Sequence, residues 1–288
     1  MSLRLEPYLW HILVNLADKS QWRRRLQQKE KVDVVFISNF RDDAERQKYL
    51  IHSQIGSEFI DGFRINMGEV YSRLKIINTD THELLTTKGR RKAKQQFLSA
   101  TQWAVENGAK VVLLAASTKR LFGHDAKELK EKFPNVVFTI GDNGTAHLLL
   151  HDTLNAIKVE NISKEHGIIA ILGAYGILGE AMVEALTFRG YKVIAVGDNV
   201  TRQDAGNAYS KELTYVLGAF SYKKLSLSKG VVFGCFAEAM AIASMIKKDK
   251  YDARNWFGVN TSNIKIVADM FDKVGLNVPT PRSFGELV

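Results

Sequence analysis

The sequence predicts an α/β protein of two domains, covering residues 1–158 and 159–288. Three observations carry the prediction. Short runs rich in β-branched residues (VDVVFI, KVVLLA, VVFTI, IIAIL) alternate with charged or amphipathic stretches, the pattern of parallel strands joined by helices. A polar segment, Val159 to Gly167 (VENISKEHG), interrupts that alternation. Beyond it, Ile168 to Asp198 reads as strand, glycine turn, helix and strand without a break. At 288 residues, each half is long enough to build its own core.

The elements follow in order. Tyr8 to Ala17 (YLWHILVNLA) reads as an amphipathic helix docked on the body. It is too short to span a bilayer and lacks the basic flank and cleavage site of a signal peptide, so membrane contact is expected to be peripheral at most. Val32 to Ile37 is the first strand, and Arg41 to His52 is charged and helical in character. Phe63 to Asn66 and Val70 to Asn78 are expected as strands flanking a Met-Gly-Glu turn, with Thr79 to Glu83 as the next loop. Lys88 to Asn107 carries Phe97, Leu98, Trp103 and Val105 and stops at Gly108, which marks a helix end. Lys110 to Ala115 is a second buried strand, Asp125 to Lys132 a helix closed by Pro134, and Val136 to Ile140 a third strand.

Gly141 then opens a loop, with a helix expected from Ala146 to about Ile157 and Thr145 or Asn143 as its cap. A loop after a parallel strand lies where α/β folds put ligands, which makes Asp142, Asn143, Gly144 and Thr145 a candidate substrate loop. The same residues also compose an ordinary turn.

In the second domain Ile168 to Leu172 has the composition of a buried parallel strand. Gly173, Gly176 and Gly179 follow it as G-x-x-G-x-x-G. The first glycine allows a tight turn, the second lets the backbone approach a pyrophosphate, and the third lets helix and strand pack closely. The helix from about Ile177 to Phe188 turns its N-terminal amides toward the phosphates, and Gly190 ends it. Tyr191 to Val196 is the second strand, with Asp198 at its tip. This is a Rossmann-like dinucleotide site with candidate contacts from Gly173, Ala174, Tyr175, Gly176, Ile177, Gly179, Asp198, Asn199 and Arg202. Asp198 suits the ribose hydroxyls of NAD, whereas Arg202 suits the 2′-phosphate of NADP, and both cofactors stay open.

Only residues 199–234 separate Asp198 from Cys235, too few for the strand–helix units of a full doubly wound domain. They hold one clear strand candidate, Leu213 to Phe220, and a shorter one at Val231 to Phe233. The dinucleotide domain is therefore expected to be abbreviated. Cys235 falls in the first turn of a helix running to about Ile246, where helix amides stabilise a thiolate. A lone cysteine among Val, Phe, Ala and Met also suits a core. Glu238, three residues on, is placed to orient the thiol, to move a proton, or to complement the helix dipole.

A single cysteine excludes an internal disulfide framework and points to a reducing, cytoplasmic compartment. The seven histidines are scattered without zinc spacing, so no metal is expected. The net charge of +9 concentrates at Arg23-Arg24-Arg25 and Lys88 to Lys94 (KGRRKAK). Such runs form solvated helix faces or meet an acidic partner; no nucleic-acid-binding signature accompanies them.

The run Gly234-Cys235-Phe236-Ala237-Glu238-Ala239-Met240 resembles the C-terminal part of the aldehyde-forming long-chain acyl-(acyl-carrier-protein) reductases. Trp256-Phe257-Gly258, Asn263-Ile264 and Asp272 to Leu276 extend the likeness, as do Lys92 to Gly108 and Thr139 to Ala146 in the N-terminal half. It is patchy but colinear from roughly residue 32 to Pro281. The resemblance implies that Cys235 attacks an acyl thioester, on acyl-carrier protein or acyl-CoA, and that a nicotinamide cofactor at the glycine turn reduces the enzyme-bound acyl group to an aldehyde. An acidic carrier protein would then be the partner of a basic surface, and a homo-oligomer is compatible with it. The chain departs from the family in its shorter segment before the cysteine and in Asp198, where the family has a basic residue. Two other readings remain: a nucleotide-binding or regulatory protein of the same ancestry without hydride transfer, and a dehydrogenase of the shikimate or glutamyl-tRNA reductase type.

Overall fold

The computed structural model describes residues 31–49, 58–196, 212–214, 231–251, 253–278, 282–283 and 286–287. It is a mixed α/β structure. Among the described residues, those up to Phe138 form one compact unit and those from Thr139 onward a second.

The first unit is built on a six-stranded sheet ordered β2-β4-β1-β5-β6, with β3 also on β4. Its strands are β1 (Val34–Phe40), β2 (Phe59–Asp61), β3 (Asn66–Met67), β4 (Val70–Asp80), β5 (Val111–Leu114) and β6 (Val137–Thr139). β1 runs parallel to β4 on one side and β5 on the other. A strand flanked so on both edges and covered on both faces must be apolar throughout, and Val34 to Ile37 and Val111 to Leu114 are all fully buried.

The expected strand Phe63 to Asn66 is not regular: Phe63 to Ile65 fall between β2 and β3, and only Asn66 belongs to a strand. Gly62 packs against Leu74 so tightly that a Cβ would lie 2.6 Å from it, and the regular ladder breaks there into β2 and the short β3–β4 hairpin. Gly68 turns that hairpin at φ 54°, as the Met-Gly-Glu turn predicts. β4 runs on to Asp80, into the expected loop.

The helices of this unit are α1 (Asp43–Tyr49), α2 (Thr87–Glu106) and α3 (Lys127–Lys132). Thr86 caps α2 by accepting from the Gly89 amide at 3.0 Å. Gly89, Ala93, Phe97, Ala100 and Ala104 form its buried stripe, at helical spacing. The basic run lies on its outer side: Lys88, Arg90 and Arg91 are exposed, Lys92 pairs with Glu83 at 3.0 Å and Lys94 with Glu128 at 2.8 Å.

The second unit contains α4 (Asp142–Val159), β7 (Ile168–Leu172), α5 (Ile177–Phe188), β8 (Lys192–Val196), β9 (Glu212–Thr214), β10 (Val231–Phe233), α6 (Gly234–Lys247) and α7 (Thr261–Val274). Two short strands, β11 (Arg282–Ser283) and β12 (Glu286–Leu287), pair near the C-terminus. β7 and β8 pair in parallel, and β9 and β10 antiparallel. Ile169, Ile171 and Val193 pack on a core made by Ala146, Leu150 and Ile157 of α4 with Ala181, Met182, Ala185 and Leu186 of α5.

The opposite face of β7 corrects the expectation of a fully buried strand, since Ile168 is 60% and Leu172 83% exposed. Helices cover one face of this two-stranded ribbon, which therefore buries alternate residues only. The residues of the predicted Leu213 to Phe220 strand beyond Thr214 lie outside the described residues, as does the Tyr8 to Ala17 helix. Among the described residues no helix is long and apolar enough to cross a membrane.

Candidate functional site

The glycine turn joins β7 to α5. Gly173 adopts φ 79°, a conformation that side chains with a Cβ resist, so the turn depends on its being glycine. Its amide and that of Ala174 both donate to the Val196 carbonyl, at 2.8 and 3.2 Å, which ties the turn to the end of β8. Gly176 is the N-cap of α5, and the amides of Ile177, Leu178 and Gly179 start the helix, where no intrahelical acceptor exists for them. A Cβ on Gly179 would lie 2.1 Å from the Gly173 carbonyl oxygen, so this glycine sets how closely helix and turn approach. A Cβ on Gly173 would meet nothing within 4 Å, leaving open space above the turn. Ala174 is buried beneath it and Tyr175 projects into solvent, 70% exposed. A pyrophosphate fits this turn, with its open approach and helix N-terminus. Asp198, Asn199 and Arg202 lie outside the described residues.

The candidate substrate loop is not a loop. Asp142, Asn143, Gly144 and Thr145 form the buried first turn of α4, which begins four residues earlier than the sequence suggests. Neither Asn143 nor Thr145 is the cap. Gly141 holds that position at φ 72°, turning the chain directly from β6 into the helix, and it carries no side chain to cap with. The missing acceptor comes from another helix. Glu238 of α6, fully buried, accepts the Gly144 amide on Oε2 at 2.6 Å and the Thr139 hydroxyl on Oε1 at 2.5 Å. Thr139 Oγ1 in turn accepts the Gly141 amide at 2.9 Å. Glu238 therefore ties the start of α4 to α6. Its role toward the helix dipole concerns α4, across the interface, rather than its own helix.

Glycine makes that crossing possible. A Cβ on Gly144 would lie 2.4 Å from the Gly234 carbonyl oxygen, and one on Gly141 2.4 Å from Cβ of Cys235. A Cβ on Gly234 would press Leu148 at 2.9 Å. The N-termini of α4 and α6 thus meet backbone to backbone, and Cys235, at the second position of α6, sits over Gly141. Cys235 is partly exposed and so is not sealed in the core.

α4 serves both groups of residues. Gly141, Gly144 and Leu148 contact α6, while Ala146, Leu150 and Ile157 join the core shared with α5 and the glycine-turn strand. His147 packs edge-on to Phe271 of α7, with centroids 5.5 Å apart. Burial holds this imidazole below its usual pKa, His151 adds to the effect, and Asp272 opposes it.

Sequence reasoning missed Thr139, Gly141 and Gly234. Their signal was present in the glycines spaced three apart before one helix and the single glycine opening another. It also missed the polar brace in the first unit, at the carboxyl ends of β1 and β5 where the strand order reverses. There Asn39 donates to the Phe40 carbonyl at 2.7 Å and to Thr81 at 3.1 Å and accepts the Ser117 amide at 3.1 Å, so its carboxamide is satisfied at both ends. Among the described residues no group of three His, Cys, Asp or Glu side chains is placed to hold a metal ion. The sequence matches no protein-family model, and no curated protein matches it.

Proposed function

We propose that the second unit is a Rossmann-like reductase module that takes an acyl group from a thioester onto Cys235 and releases it as an aldehyde. The observation that carries the reading is the position of Cys235: partly exposed, on the first turn of α6, beside the start of α4. The N-terminus of its own helix favours negative charge on the sulfur. The glycine turn supports the cofactor half of the reading, with Gly173, Gly176, Ile177 and Gly179 as the residues that would hold the pyrophosphate of NAD or NADP. The likeness of the Cys-Phe-Ala-Glu-Ala run to acyl-(acyl-carrier-protein) reductases supports the substrate half.

The Cys235 thiolate attacks the thioester carbonyl carbon, a new carbon–sulfur bond forms, and the carrier or coenzyme A thiol leaves with a proton. When bound, the reduced nicotinamide supplies the hydride that the acyl carbon accepts as its bond to Cys235 breaks. Cys235 is then a thiolate again. Glu238, with both oxygens engaged by Thr139 and Gly144, acts as a positioning residue that fixes where α6 and its cysteine lie.

Titration with NADPH and NADH, followed by cofactor fluorescence and then by its loss on adding octanoyl-CoA, tests the reading. Binding of one reduced cofactor, and its oxidation with release of octanal, is expected. Failure of both cofactors to bind would remove it. Binding without oxidation favours the second reading, a nucleotide-binding protein without hydride transfer. One observation supports that alternative: β7 and β8 are the only parallel pair among the described strands of the second unit.

A further inference from the structure

We infer that Asn143 is a ligand-binding residue whose carboxamide pairs, at both its nitrogen and its oxygen, with an amide group of the bound substrate or cofactor. The observation is an unmet need. Asn143 is fully buried, yet neither Nδ2 nor Oδ1 has a hydrogen-bond partner among the described residues, and no other described side chain has two such atoms. A buried amide left unpaired destabilises a fold, and buried polar groups are paired in nearly all native structures. Asn39, the buried asparagine of the first unit, is satisfied at both ends and shows what a purely structural residue of this type does here.

Position gives the unmet pair its direction. Asn143 lies on the first turn of α4, next to Gly144 and two residues beyond Gly141, the glycines that touch α6 and Cys235. By helical spacing it shares a face with Ala146, Leu150 and Ile157, the residues that join the core with α5, the helix after the glycine turn. It thus belongs to the end of α4 that adjoins the cysteine and to the face that α5 packs on. A group offering one donor and one acceptor side by side satisfies a carboxamide completely, and that group is another amide. Within the function proposed above, on which the choice of ligand rests, two sources carry one: the carboxamide of nicotinamide and the amide of a pantetheine arm.

Asn143→Leu, of similar branched shape but apolar, separates the possibilities, with Asn143→Ala as a second variant in case leucine overfills the site. Thermal unfolding of the ligand-free full chain is measured first. An unpaired amide predicts that at least one variant melts at or above the wild-type temperature, because replacing an unpartnered buried polar group by an apolar one relieves its desolvation. Affinity is then measured for NADPH, NADH and ADP-ribose, and for octanoyl-N-acetylcysteamine, which has an amide, against ethyl thiooctanoate, which does not. Weakening by about tenfold or more for NADPH or NADH but not ADP-ribose assigns the nicotinamide amide. The same loss for octanoyl-N-acetylcysteamine but not ethyl thiooctanoate assigns the pantetheine arm. The inference is overturned if both variants melt several degrees lower, or if they bind every probe as the wild type does. A wild-type chain that binds none of the probes brings down the proposed function and this inference together, whereas normal wild-type binding with unaffected variants brings down the inference alone.

Discussion

At the scale of single residues, Glu238 shows how far sequence carries and where it stops. An acid flanked by Ala237 and Ala239 in an apolar run must find partners if it is buried, and the sequence leaves three roles open to it. Its partners, Thr139 and Gly144, are 99 and 94 residues away, so no local pattern could name them. Removing it should orphan the Gly144 amide and the Thr139 hydroxyl. Glu238→Ala is expected to lose roughly 3 kcal/mol in urea unfolding, and Glu238→Gln less, since the amide oxygen still accepts one of the two bonds. Equal, small losses in both would show that the contacts do not hold the helices together. Gly144→Ala puts a methyl group against backbone rather than a side chain that can move, so a loss of about 2 kcal/mol or more is expected for one added carbon. Asp61 belongs here as well. It pairs with Arg73 at 2.6 Å and with Lys75, which also lies over the Trp103 ring at 3.3 Å. Burial alone would raise its pKa, but the two cations hold it well below the usual carboxylate range. The stability it contributes is thus complete above about pH 4 and is lost as pH falls further, and Asp61→Asn should flatten that part of an acid-unfolding curve.

At the scale of elements, the strands and helices with strong periodicity were legible and their ends were not. α2 begins one residue before the predicted start and stops before Gly108 as expected, and α6 begins at Gly234 with Cys235 in its first turn. α4 is the instructive miss. Its first turn reads as a glycine-rich loop because the group that stabilises it as helix, a carboxyl from α6, is not visible locally, and because Gly141 and Gly144 on their own compose an ordinary turn. The same helix carries His147, whose pKa is depressed by burial beside Phe271 and by His151. A histidine held below its unfolded value contributes stability above about pH 6.5, which is lost as pH falls through and below that value. Between pH 7.5 and 5.5 the melting temperature should therefore drop, and His147→Gln should reduce the slope; a slope unchanged in the variant would place its origin elsewhere.

For the whole molecule, alternation of apolar runs with helical stretches sufficed to predict an α/β chain. The exposure of Ile168 and Leu172 could not be read that way, because composition reports what a strand tolerates and not which neighbours cover it. Charge behaves similarly. The sequence marks Lys88 to Lys94 as basic, and the fold shows which of these cations face solvent, namely Lys88, Arg90 and Arg91 at the start of α2, where the helix dipole adds to them. If an acidic carrier protein delivers the acyl group, Arg90→Glu with Arg91→Glu should lower turnover of the carrier-bound substrate severalfold at low salt. Turnover of acyl-CoA should be untouched, and added salt should erase the difference. Equal turnover of the carrier-bound substrate by both proteins would place the carrier elsewhere.

Acyl transfer to Cys235 is tested most directly by intact-mass measurement after incubation with octanoyl-CoA, without reduced cofactor. A single octanoyl adduct that is absent in Cys235→Ala and is discharged on adding NADPH or NADH is the predicted result. An unmodified wild-type chain, or an adduct that persists in Cys235→Ala, would contradict it.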